Sequence, residues 1–136
     1  MEVIGSHCIL ELYGCPAELL NDETFVGGAL AGAVDQGMAT LLHQVSHHFE
    51  PQGVTALALI AESHVAVHTW PEYGYAAIDV FTCGDRASAE KACNYLVGAF
   101  QAQRHTLEKL VRGRDVAADV RPDQSFEPVP SASVGQ

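Results

Sequence analysis

The chain has 136 residues, 48% of them hydrophobic, enough for one domain that buries its own core without metal or disulfide help. Its 17 acidic residues outnumber 7 basic ones for a net charge of −10, which repels phosphate backbones and anionic lipid, so no nucleic acid and no membrane are expected as partners. The longest apolar runs, Phe25 to Val34 and Val54 to Ala61, fall well short of the ~18 residues of a membrane helix, and no signal peptide is evident. The four cysteines, Cys8, Cys15, Cys83 and Cys93, are irregularly spaced and lack a Cys-x-x-Cys pair. They read as reduced thiols in a cytoplasmic protein.

Taken in chain order, Cys8 to Tyr13 alternates as a strand and Gly14 to Pro16 breaks it. Asn21 or Asp22 offers an N-cap oxygen for a helix with Phe25, Ala29, Leu30, Ala33 and Val34 on one stripe, ended by Gly37. Gly27, Gly28 and Gly32 weaken that helix, and the expectation is that they let it lie close to a sheet. Thr40 to Phe49 and Val54 to Ile60 predict two strands around the turn Glu50 to Gly53. His64 to Trp70 and Tyr75 to Cys83 predict a hairpin over Pro71 to Gly74. A second amphipathic helix starts at Asp85 or Ser88 and runs to about Gln103, with Ala92, Cys93, Leu96 and Phe100 inward. A last strand spans His105 to Val111.

From Asp115 the chain is rich in Asp, Ser and Pro and too poor in apolar bulk to offset its ordering entropy, so residues 115–136 are expected to be a disordered tail after one domain at 1–114. The pattern predicts an α+β fold, a two-layer sandwich in which an antiparallel sheet carries two helices on one face. An uncovered sheet face with apolar content asks for a partner, which favours a homodimer.

The segment Glu62 to Tyr75, followed by Asp79 to Gly84, crowds a hydroxyl, imidazoles, a thiol and carboxylates around one hairpin. A buried polar group without a partner costs about 1–3 kcal/mol, so this crowding asks for a chemical reason. A symmetric hairpin pairs residues whose numbers sum to about 145 and sets Cys83 opposite Glu62 or Ser63. His68 and Ser63 differ by an odd number and face opposite ways in a straight strand, so a kink near Ser63 is needed for them to meet. His47, His48, His64 and His68 could suggest a metal, but His47 and His48 point to opposite sides of their strand and no acidic ligand pattern completes the site, so none is expected. Phe49, beside the Pro-Gly turn, can stack on a flat ligand.

Glu62-Ser63-His64, the string His68-Thr69-Trp70-Pro71-Glu72-Tyr73-Gly74 and Phe81-Thr82-Cys83-Gly84 resemble the cleavage and active-site region of the prokaryotic, short-chain S-adenosylmethionine decarboxylases, which are pyruvoyl enzymes. Gly5 and His7, Glu11 to Cys15, Leu20 to Asp22, Ser46 to Phe49 and Pro51 to Gly53 extend the likeness over residues 5 to 112. The resemblance implies a proenzyme in which the Ser63 hydroxyl attacks the Glu62 carbonyl. Elimination then splits the chain into residues 1–62 and 63–136, and Ser63 becomes a covalent pyruvoyl cofactor. It further implies His68 as the base for the α proton, Thr55 as a hydroxyl assisting processing, and Cys83 as the proton donor in catalysis. Phe49 would stack on adenine, with Trp70 and Glu72 shaping the substrate site across a dimer interface. The implied reaction is a Schiff-base decarboxylation of S-adenosylmethionine that makes the aminopropyl donor of spermidine biosynthesis. The same machinery acting on arginine or ornithine is the enzymatic alternative, and an uncleaved α+β ligand-binding dimer the non-enzymatic one.

Overall fold

The computed structural model describes residues 4–83 and 87–114; the expected tail at 115–136 lies outside them, as does Asp85. Six strands, β1 (Gly5–Tyr13), β2 (Leu41–His48), β3 (Val54–Ile60), β4 (Ser63–Trp70), β5 (Tyr75–Cys83) and β6 (Arg104–Arg112), form one sheet in the order β2-β3-β4-β5-β1-β6. All neighbours run antiparallel. The first strand therefore lies inside the sheet, between β5 and the last strand β6. Its alternating Cys8, Leu10 and Leu12 are fully buried, as a strand covered on one face requires.

Two main helices, α2 (Glu23–Gln36) and α3 (Ala89–Ala99), follow a single helical turn, α1 (Ala17–Leu20), which lies between the expected break at Gly14 to Pro16 and the expected N-cap and is not itself predicted. α2 covers β2, β3 and β4, while α3 covers β1 and β5. The helices pack on each other, with Phe25 edge-on to Phe100 at 5.6 Å. The expected α+β two-layer sandwich is the observed architecture. Asp22 and Ser88 are the N-caps, each accepting the backbone N–H three residues on, from Phe25 and Lys91 at 3.1 Å. α3 ends earlier than expected because Phe100 is its C-cap and Gln101 takes φ +52, which no helix continues.

Only one of the three glycines of α2 admits a sheet residue as expected. Gly28 faces open space, a Cβ on Gly32 would strike the Tyr95 ring of α3, and of the three only Gly27 abuts a strand residue, Gln44. Gln44 donates its amide to the Gly27 carbonyl at 2.8 Å. Gly37 ends α2 as expected, although the left-handed residue is Met38 at φ +58. What demands glycine at 37 is the Ser88 carbonyl, 2.9 Å from where its Cβ would be.

Among the described residues no helix packs on the opposite face of the sheet. Val45, Leu57, Leu59 and Trp70 stand on it at 39–54% exposure, the uncovered apolar surface anticipated from the strand pattern. Among the described residues no helix is long and apolar enough to cross a membrane.

Candidate active site

The β4–β5 hairpin closes through a 3-10 turn at Pro71–Tyr73 and Gly74, whose φ of +62 is readily met by glycine. Its register pairs Trp70 with Tyr75, His68 with Ala77 and Ser63 with Thr82, the pairing expected from a symmetric closure. One residue beyond, the Cys83 backbone N–H donates to the Glu62 carbonyl at 2.9 Å, and the Cys83 thiol donates to the same oxygen at 3.0 Å. The thiol thus meets Glu62 rather than the Ser63 hydroxyl. Thr40 N–H holds the Glu62 carboxylate at 3.0 Å, and the Ala61 N–H is held by the Thr40 carbonyl at 2.9 Å, which pins the segment ahead of Ser63.

Ser63 itself has φ +146, a region costly to any residue with a Cβ. The backbone is irregular here, but the irregularity does not bring Ser63 to His68, the meeting for which a kink is expected. The Ser63 Oγ lies 3.2 Å from His64 Nδ1, and the His64 ring stands edge-on to Phe81 with centroids 5.9 Å apart. Phe81 is flanked on its other side by His7, whose Nε2 lies 3.1 Å from Asp79. A carbonyl with two converging donors, a strained adjacent residue and a hydroxyl touching an imidazole together form a local arrangement able to attack a peptide bond.

Burial raises the thiols of Cys8, Cys15 and Cys93, that of Cys15 to about 11. They remain protonated and are covered by the core. Cys83 is the one part-exposed thiol among the described cysteines.

The remaining predicted residues gather elsewhere. His68 is five residues along β4 from Ser63, a separation of about 16 Å at the usual strand rise. Its Nδ1 lies 3.0 Å from Thr55 Oγ1, directly across the β3–β4 pairing. Phe49, Gln52, Thr55, His68, Trp70 and Glu72 line a cleft of about 300 Å³ at that end of the uncovered face. The cleft floor is held by Thr69, which donates to the Leu20 carbonyl at 2.7 Å and accepts from Val54 N–H at 2.9 Å. Behind Trp70, at 5.4 Å, Tyr75 donates to the Glu11 carboxylate; burial first, then Glu11, pushes its phenol up to about 12. Within one chain the structure thus brings together Glu62, Ser63 and Cys83, and separately Phe49, Thr55, His68, Trp70 and Glu72. It does not bring His68 to Ser63.

His64 lies in the segment that the sequence singles out, where it carries no expected catalytic role; its adjacency to Ser63 is the available signal. Glu11 and Tyr75 gave none, because their meeting depends on β1 pairing with β5. His47 and His48 do part to opposite faces, the first against Phe49 and the second 2.8 Å from Asn21.

A six-stranded antiparallel sheet backed by helices on one face matches a known class of structure. The crystal structure of the adenosylmethionine decarboxylase from Aquifex aeolicus VF5 superposes with a TM-score of 0.78 at 31% identity, covering 93% of this chain and 100% of that one. The S-adenosylmethionine decarboxylase family model matches residues 6–113. An S-adenosylmethionine decarboxylase proenzyme from Synechococcus sp. (strain WH7803) is 53% identical over 110 residues, which span 81% of this chain and 86% of that protein. The proenzyme of the same name from Clostridium kluyveri (strain ATCC 8527 / DSM 555 / NBRC 12016 / NCIMB 10680 / K1) is 42% identical over 113 residues, 83% of this chain and 90% of its own. The chain belongs to the S-adenosylmethionine decarboxylase family.

Proposed function

We infer that the protein is a self-processing decarboxylase that converts S-adenosylmethionine to its decarboxylated aminopropyl donor for spermidine biosynthesis. The observation that carries this reading is the Glu62–Ser63 junction: a carbonyl held at 2.9 and 3.0 Å by the two donors of Cys83, next to a serine at φ +146. Donors already in place stabilise the oxyanion that forms when Ser63 Oγ adds to that carbonyl, and the strain at Ser63 raises the energy of the uncut state. Cleavage there yields chains of residues 1–62 and 63–136. A covalent pyruvoyl group derived from Ser63 supplies an electrophilic carbonyl that accepts electrons as carbon dioxide leaves. The Cys83 thiol lies beside this position and delivers a proton to the substrate carbon.

His68 serves as the base for the Ser63 α proton from the partner subunit of a homodimer. Two copies stacked on their uncovered faces, about a two-fold axis that crosses the strands, exchange the two ends of the face. Such packing brings the Ser63 and Cys83 end of one protomer to the Thr55, His68 and cleft end of the other. It also buries Leu57 and Leu59. In the cleft, Phe49 and Trp70 offer flat faces to adenine and Glu72 a carboxylate to a cationic substrate. The reaction takes place in the cytoplasm, where the four free cysteines stay reduced.

The decisive measurement is the mass of the chains after incubation. The protein is expected as two fragments, the larger blocked at its start by a ketone, while Ser63→Ala stays whole and releases no carbon dioxide from S-adenosylmethionine. A whole chain that still decarboxylates S-adenosylmethionine would remove the pyruvoyl mechanism. Carbon dioxide released from arginine or ornithine instead would change the substrate.

A further inference from the structure

Among the described residues the side chain that meets the Ser63 hydroxyl is His64, at 3.2 Å through Nδ1, and not His68, which is bonded to Thr55 at the far end of the strand. The His64 ring is held in place from below by its edge-on contact with Phe81 at 5.9 Å, and Phe81 is itself braced by His7 at 5.6 Å. We propose that His64 is a catalytic residue of self-cleavage, taking the Ser63 hydroxyl proton in the first step. The proposal rests on the self-cleavage reading above. As Ser63 Oγ bonds to the Glu62 carbonyl carbon, its proton passes to His64 Nδ1, and the negative charge gathers on the oxygen held by Cys83 N–H and S–H. The bond from that carbon to the Ser63 nitrogen then breaks, and His64 returns the proton to the departing amine. The product is an ester with a free amine. No atom or electron is gained or lost, and elimination from the ester is the separate step assigned to His68.

The two histidines are therefore told apart by where the proenzyme stalls. His64→Phe keeps a ring over Phe81 but has no nitrogen, and its cutting is expected to slow by about 10²- to 10⁴-fold, the usual weight of a general base. The stalled chain should remain whole in hydroxylamine, because no ester has formed. His68→Ala should accumulate the ester and be split by hydroxylamine after Glu62. A His64→Phe chain that cuts at the normal rate, or one that stalls yet is split by hydroxylamine, would overturn the proposal while the self-cleavage reading stands. If the unaltered protein is never cut, both fall. Should His64→Phe misfold, His64→Ala incubated with imidazole replaces it. Cutting restored by imidazole supports the role, while cutting without it, or none with it, overturns the role.

Discussion

The φ of +146 at Ser63 has a cost that can be measured. A residue with a Cβ in such a region loses of order 1–3 kcal/mol, whereas glycine, with no Cβ, occupies positive φ freely at an entropic cost of about 0.5–1 kcal/mol. Neither Ser63→Gly nor Ser63→Ala retains the hydroxyl, so both stay whole and can be compared by urea unfolding. Ser63→Gly is expected to be the more stable by about 1 kcal/mol. Equal stability, or an advantage for alanine, would mean that the junction stores no strain. On the proposed conversion of Ser63 the same strain would disappear as its Cα ceased to be tetrahedral, so that cleavage would relax the strand start. Glu62, Ser63 and Cys83 were legible as a set because the hairpin joining them is short and its register follows from closing one turn.

Among the helices, packing and propensity compete, and α2 shows both outcomes. Gly28 is exposed with nothing within 4 Å of an added Cβ, so Gly28→Ala should stabilise the protein by about 0.5–1 kcal/mol through helix propensity alone. Gly37 abuts the Ser88 carbonyl at 2.9 Å, and Ser88 N–H donates to the Gly37 carbonyl at 2.8 Å. Gly37→Ala therefore pushes the end of α2 off the cap of α3 and should lose about 1–3 kcal/mol. Thermal melts of the two variants should shift in opposite directions; shifts of the same sign would refute this account. The caps at Asp22 and Ser88 were readable because a capping side chain acts on its own next turn. Gly37 was readable as the end of α2, but what excludes a side chain at Gly32 and Gly37 was not, since those atoms belong to Tyr95 and Ser88, far away in sequence.

For the whole molecule, the uncovered face raises the question of which chain supplies His68. A strand separation of about 16 Å between Ser63 and His68 cannot close within one protomer without breaking β4. Ser63→Ala and His68→Ala chains produced together should therefore complement each other: the His68→Ala chain keeps its Ser63 and borrows His68 from its partner. Mass analysis should find the His68→Ala chain cut in the mixture and whole when it is made alone. Absence of cutting in a mixture shown by sedimentation to contain mixed dimers would place His68 in its own chain's reaction, or outside it.

From the residues alone came the α+β class, five of the six strands to within about two residues at either end, both main helices, the hairpin register, and the motif that joins Glu-Ser-His to Phe-Thr-Cys-Gly. Each depends on side-chain alternation, capping or one short turn, all of which act between residues near in sequence. Only the folded chain decided that β1 pairs with both β5 and β6, that the Cys83 thiol meets the Glu62 carbonyl, and that His64 rather than His68 meets Ser63. It alone showed Glu62, Ser63 and Cys83 gathered at one end of β4 and Thr55 and His68 at the other. Local pattern says which way a strand residue faces, whereas the distance between two residues on the same strand, and the partner that closes it, follow from a rigid sheet with every neighbour in place.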